Sequence, residues 1–180
     1  MKKKILIGIC SFCSVLLFFV GCDNRSERAK LAHSAMYKTL LILENRYQMK
    51  FIGWSEGADD HHYNHLGLNF DVFHILSKDE GRKMLIDGVE ELLKQINATL
   101  ELQPFLNPAP FMPANIELNI YDYQPDGNNV YYPNIVVFSA YGGKLHYKTK
   151  IPEKEFGYYT NEKETYEEAL NIVRSQEAAK

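Results

Sequence analysis

The chain has 180 residues, of which 46% are hydrophobic and 13% aromatic, a composition that excludes a disordered stalk and suffices for one domain with a substantial core. Its formal net charge is −3 at pH 7, and loss of Lys2, Lys3 and Lys4 from a leading segment without acidic residues lowers that charge by three, to −6. Nucleic acid and anionic lipid head groups are therefore poor partners for the surface as a whole.

The first predicted element is a signal peptide over residues 1–21. Three lysines precede an apolar run from Ile5 to Val20. This run is shorter than the roughly 20 residues of a membrane-spanning helix and suits the core of a signal peptide. Cys10 and Cys13 lie inside the run and leave with it, so no disulfide is predicted in the remainder.

The run ends in Phe19-Val20-Gly21-Cys22. This stretch resembles the lipobox of bacterial lipoproteins, in which a small residue precedes an invariant cysteine, although Phe19 stands where Leu is usual. The resemblance covers residues 1–22 only. It implies cleavage before Cys22, diacylglycerol on its sulfur, an acylated amino terminus and a place in the cell envelope, outside the cytoplasm. Whether the inner or the outer membrane holds the lipid stays open. An uncleaved anchor helix and an ordinary secretory peptide are the alternatives.

Residues 22–28 are predicted as the lipidated cysteine and a short tether, and residues 29–177 as a single domain. Apolar residues at steps of three and four predict a first helix over about 26–47. Alternating patterns predict strands over 49–56 and 66–76, which pair as a hairpin.

A second helix is predicted after Ser77, because Glu80 stands three residues later and completes the pattern of a capping box. This helix ends near Asn97. Four prolines between residues 102 and 114 then predict an extended connector, since proline disfavours both helix interiors and central strands.

The last third of the domain is predicted as an antiparallel meander followed by a helix. The strands span residues 115–123, 129–139 and 144–151. Asn161 is the predicted cap of a helix over about 162–176. The predicted fold is α+β: an antiparallel sheet of about five strands, a hairpin plus a three-strand meander, with helices packed on one face. The element order is α-β-β-α-β-β-β-α.

The hairpin loop holds the densest group of side chains able to bind a metal. They are Asp59, Asp60, His61, His62 and His65. Imidazole nitrogens and carboxylate oxygens suit Zn²⁺. The spacing matches no specific zinc signature, so a solvated loop tip is the alternative interpretation.

Aromatic residues give a second candidate site. Tyrosine combines apolar area with a polar tip, which suits recognition of a peptide, glycan or protein. The predicted binding surface comprises Tyr131, Tyr132, Phe105, Phe111, Tyr158 and Tyr159. Ordinary cross-strand packing is the alternative.

No nucleophile elbow, P-loop, dinucleotide fingerprint or zincin helix occurs in the sequence. The predicted function is that of a membrane-anchored envelope lipoprotein that acts by binding an envelope protein or glycan, as an accessory or structural module. No cofactor is predicted besides the lipid on Cys22. The alternatives are a metal-dependent or hydrolytic envelope enzyme that uses the loop from Asp59 to His65, and a binder of a small ligand or metal, such as Zn²⁺, without chemistry.

Overall fold

A computed structural model describes residues 25–154 and 156–179, so the predicted signal peptide and Cys22 lie outside the described residues. Over these ranges the chain forms three α-helices: α1 (Glu27–Tyr47), α2 (Lys78–Ala98) and α3 (Tyr166–Ala178). The strands are β1 (Lys50–Ala58), β2 (Tyr63–Val72), β3 (Ile116–Asp122), β4 (Val137–Tyr141), β5 (Lys144–Thr149) and β6 (Thr160–Thr165). Short 3₁₀ helices span Leu100–Phe105 and Pro113–Asn115. None of the described helices is long and apolar enough to cross a membrane.

Two helix starts follow the sequence closely. Ser26 caps α1, its hydroxyl accepting a hydrogen bond from the Ala29 amide at 3.2 Å, so the helix begins inside the predicted tether. The capping box of α2 is confirmed: Ser77 Oγ accepts from the Glu80 amide at 3.2 Å, and Glu80 Oε2 accepts from the Ser77 amide at 2.9 Å. These contacts satisfy amides that a helix start leaves unpaired.

The strands form one six-stranded sheet in sequential order, β1 to β6. The α+β class is confirmed, but the prediction of about five antiparallel strands is wrong in two respects. β2 and β3 pair in parallel, whereas the other neighbours are antiparallel. The parallel pair arises because α2 lies between these strands in the chain and carries it back to the end where β2 began.

The second difference is β6, which replaces the start of the predicted last helix. Its sequence is polar, and its backbone pairs with β5 as an edge strand. Thr165, not Asn161, caps α3: its hydroxyl accepts from the Glu168 amide at 3.2 Å. The predicted strands over 66–76 and 129–139 also differ from the structure, because β2 ends at Val72 and β4 begins only at Val137.

One face of the sheet holds the core and is covered by the helices. α2 lies close to this face, since a Cβ built at Gly81 would overlap the Phe138 ring and one at Gly88 would overlap the Leu118 side chain. A fully buried Leu or Phe contributes about 1.5–3 kcal/mol to folding. The strand side chains buried on this face include Leu66, Leu68, Phe70, Ile116, Leu118, Ile120, Phe138, Leu145 and Tyr147.

The domain has two distinct poles. The start of α1 lies at the hairpin loop, where the Arg28 guanidinium sits 4.9 Å from the centroid of the Tyr63 ring and donates to the Asp60 carbonyl oxygen at 3.4 Å. The end of α1 contacts Asp87 of α2 through Tyr47. α1 has 21 residues, so the poles are about 30 Å apart. We call the end at residues 58–63 the loop pole.

Candidate functional site

The sheet face opposite the helices carries a straight row of polar positions. Strand register places one residue from each strand in this row, which we call the open-face row. Its members, from β1 to β6, are Gly53, Asn69, Asn119, Ser139, His146 and Lys163. Asn119 and Ser139 of this row are buried, although asparagine and serine are mostly exposed in proteins.

Hydrogen bonds join the first four strands along this row. The Asn69 side-chain amide donates to Gly53 O at 3.3 Å and to Ser55 Oγ at 3.1 Å. The Asn119 amide donates to Asn69 Oδ1 at 2.8 Å, and the Ser139 hydroxyl donates to Asn119 Oδ1. Asn119 and Ser139 are only 9% and 3% exposed. Buried polar groups need such partners, and the pairing holds the row in one geometry.

A shallow cleft of about 290 Å³ lies over the centre of the row. Glu117 forms one wall, with Oε1 accepting from the Asn119 amide at 2.8 Å and Oε2 lying 3.5 Å from His65 Nε2. The ring of Tyr141, which is 56% exposed, stands edge-on to the His65 ring at 6.3 Å. The residues that line the cleft are His65, Glu117, Asn119, Ser139, Tyr141, His146 and Lys148.

The opposite wall of the cleft is basic. Burial lowers the pKa of Lys148; the Glu117 carboxylate across the cleft opposes that shift, and Lys163 adds to it. Burial also lowers the pKa of His146. The cleft thus has one acidic and one basic wall, with neutral amide and hydroxyl groups between them.

The hydrogen bonds of Ser139 show how its hydroxyl is used in the cleft. The Ser139 hydroxyl donates to the Asn119 amide oxygen, and within the described chain no histidine or carboxylate hydrogen-bonds to it. An activated nucleophile needs such a base. By contrast, Tyr, Ser, Gly and Asn together supply rigid contact area and adaptable hydrogen bonding, as they do in antibody binding sites.

The predicted metal ligands are not gathered at one point. Asp59 Oδ1 accepts from the amides of His61 and His62 at 2.8 and 2.6 Å, which lowers the pKa of the Asp59 carboxyl. His65 lies apart from them, against Glu117 on the open face. Asp60 contributes its backbone carbonyl to Arg28. Over the described ranges, no three His, Cys, Asp or Glu side chains are placed to hold a metal.

The predicted aromatic surface divides into two parts. Tyr132 and Tyr159, at 56% and 51% exposure, meet nearly at right angles with ring centroids 5.4 Å apart. Lys148 Nζ lies 5.0 Å from the centroid of the Tyr158 ring. These three tyrosines form what we call the aromatic rim, at the pole opposite the hairpin loop. Tyr131 is half-buried.

The two phenylalanines lie elsewhere. Phe111 is 2% exposed and belongs to the core. Phe105 is half-buried and packs at the loop pole, in the groove that also contains Arg28 and His61. The aromatic rim, in contrast, adjoins the basic wall of the cleft through Lys148 and extends the open face.

Sequence reasoning missed the open-face row. Its one signal was that Asn69, Asn119 and Ser139, at the outward positions of three strands, are all short, neutral and polar. Asn69 and Asn119 are 50 residues apart, and the parallel register of β2 and β3 was needed to bring them together.

Comparisons of the chain with protein-family models, with curated proteins and with solved structures found no match.

Proposed function

We propose that the chain is a bacterial envelope lipoprotein, held at a membrane by lipidated Cys22, whose domain binds a cell-wall glycan on its open sheet face. The observation that carries the proposal is the hydrogen-bonded open-face row, which leaves a preorganised polar cleft uncovered by any described helix. Preorganisation reduces the entropy lost when a ligand binds.

A glycan fits the chemistry of the cleft. Sugar hydroxyls both donate and accept hydrogen bonds. Glu117 and Ser139 offer acceptor oxygens at fixed positions, Lys148 offers a donor, and the exposed Tyr141 ring offers apolar area beside them. A flat polar face of this kind matches an extended polymer better than a small ligand, which is usually enclosed in a deeper pocket.

A lipid anchor on Cys22 would leave the cleft on the open sheet face accessible to a ligand. From Cys22 to Glu27 the chain spans at most about 18 Å when fully extended, so a lipid on Cys22 keeps the loop pole near one leaflet. The length of α1 then allows the aromatic rim to lie up to about 30 Å farther from the membrane. The sheet face between the poles stays open to the space beside the membrane.

The anchor is tested by Cys22→Ala. Two acyl chains, at about 0.8 kcal/mol per buried methylene, suffice for stable anchoring. We expect the variant to incorporate no labelled palmitate and to accumulate as full-length precursor, whereas Cys13→Ala serves as control and should be labelled and processed normally. If the Cys22 variant is still labelled with palmitate and processed, Cys22 is not the lipidated residue.

Binding is tested by Glu117→Gln, measured as co-sedimentation of the purified lipidated protein with cell-wall polysaccharide from its host. Gln keeps an acceptor oxygen but loses the charge, and the charged hydrogen bond is stronger than the neutral one by about 1 kcal/mol, so we expect about fivefold weaker binding. Glu90→Gln is the matched control, because Glu90 lies on α2, away from the cleft, and faces Arg174 at 3.5 Å. Equal binding by the two variants, or none by the unchanged protein, would refute the proposal.

A further inference from the structure

The β5–β6 half of the open face concentrates positive charge in an otherwise acidic chain. Lys144, His146 and Lys148 alternate along β5, and Lys163 stands directly opposite His146 on β6. Within the described chain, none of the three lysines has a carboxylate oxygen within 4.0 Å of its ammonium group. The acidic side chains of β6 lie on the other face, where Glu162 pairs with Lys78 of α2.

This arrangement places positive groups close enough to repel one another, since burial lowers the pKa of Lys148 and Lys163 lowers it further. Burial lowers the pKa of His146, and the surrounding Lys163, Lys148 and Lys144 lower it further despite a hydrogen bond with Asn161. Lys83 of α2, in contrast, pairs with Asp87 at 3.1 Å. A bound anion would relieve the repulsion on β5 and β6.

We propose that this half of the open face is an anion subsite, which holds an acidic group of the bound glycan between Lys148 and Lys163. His146 and Asn161 lie between these lysines and donate hydrogen bonds to it. The subsite rests on the proposed function and narrows its ligand to an acidic glycan. The ammonium groups of Lys148 and Lys163 direct the acidic group to β5 and β6, and the neutral hydroxyls of the glycan then lie beside Glu117 and Ser139.

The lipidated protein in detergent micelles is titrated by calorimetry with three probes. Hexagalacturonate carries carboxylates, chitohexaose is neutral, and inorganic phosphate is a free anion. We expect hexagalacturonate to bind at least tenfold more tightly than chitohexaose, with an affinity that falls as salt rises. If phosphate binds more tightly than hexagalacturonate, the acidic group that the subsite recognises is a phosphate and not a carboxylate.

Lys148→Gln should weaken hexagalacturonate binding about tenfold, whereas Lys38→Gln, on the exposed surface of α1, should leave it unchanged. Lys163→Gln should weaken binding without lowering the melting temperature, because it removes repulsion from the sheet; this separates a binding role from a structural one.

Equal affinity for hexagalacturonate and chitohexaose, unaffected by Lys148→Gln, overturns the anion subsite and leaves the glycan-binding proposal intact. Absence of binding by all three probes at millimolar concentration also overturns the subsite. The glycan-binding proposal itself is decided separately, by sedimentation of the Glu117 variant.

Discussion

Glu164→Ala is expected to lower the free energy of unfolding by about 3 kcal/mol, because it leaves a buried arginine without its main partner. Glu164 is 14% exposed and accepts a hydrogen bond from Arg82 Nε at 2.8 Å, while the Arg82 side chain is 6% exposed. The Tyr147 hydroxyl donates to the same carboxylate, and burial together with Glu164 raises the pKa of that tyrosine. This cluster joins α2, β5 and β6.

Glu162→Ala is the matched control. Glu162 lies on the same strand and also pairs with a cation of α2, Lys78, but its side chain is 65% exposed. Exposed ion pairs contribute about 0–1 kcal/mol. Urea denaturation of both variants measures the difference. Equal losses of stability would show that burial of the Arg82 pair does not hold β6 in the sheet.

Gly67→Ala is expected to destabilise the domain by about 2–3 kcal/mol, through overpacking between β2 and β3. A Cβ at position 67 would overlap the Glu117 backbone carbonyl oxygen. Backbone cannot rotate away as a side-chain tip can, so the two parallel strands must separate. The same displacement moves the Glu117 side chain, and we expect glycan binding to fall together with stability.

Gly53→Ala provides the comparison, since it lies in the same face. The nearest atom to a Cβ at Gly53 is Asn69 Nδ2 at 3.9 Å, an ordinary contact. Alanine in a strand is favoured over glycine by about 0.5–1 kcal/mol, so this variant should be as stable as the parent or slightly more so. Thermal unfolding of the pair measures both effects. A Gly67 variant as stable as the Gly53 variant would contradict the close β2–β3 approach.

Local signals predicted the first two helices well. The capping box at Ser77 and Glu80 depends only on neighbouring residues, and it starts α2 as expected. The apolar alternation that begins at Leu66 gave the core face of β2. A helix cap and the inward face of a strand each depend on only three or four neighbouring residues, so the local sequence is enough to predict them.

Non-local pairing was the part that local patterns missed. β6 is polar and exposed, so neither apolar alternation nor turn residues mark it; its place is set by backbone pairing with β5. The parallel β2–β3 pair had one usable signal, a helix of crossover length between two strands. In the hairpin loop the density of possible ligands is a local signal, but their geometry is not: Asp59 accepts from the backbone amides of its own turn.

Photo-crosslinking in the host cell tests the claim that the open face is the ligand surface most directly. A photo-reactive amino acid replaces Tyr141 in the cleft or, as a control matched in residue type and exposure, Tyr37 on α1; the two side chains are 56% and 52% exposed. We expect position 141 to yield an adduct that glycan-degrading enzymes remove, and position 37 to yield none. Equal glycan adducts at both positions, or an adduct at position 37 alone, would contradict a glycan site on the open sheet face.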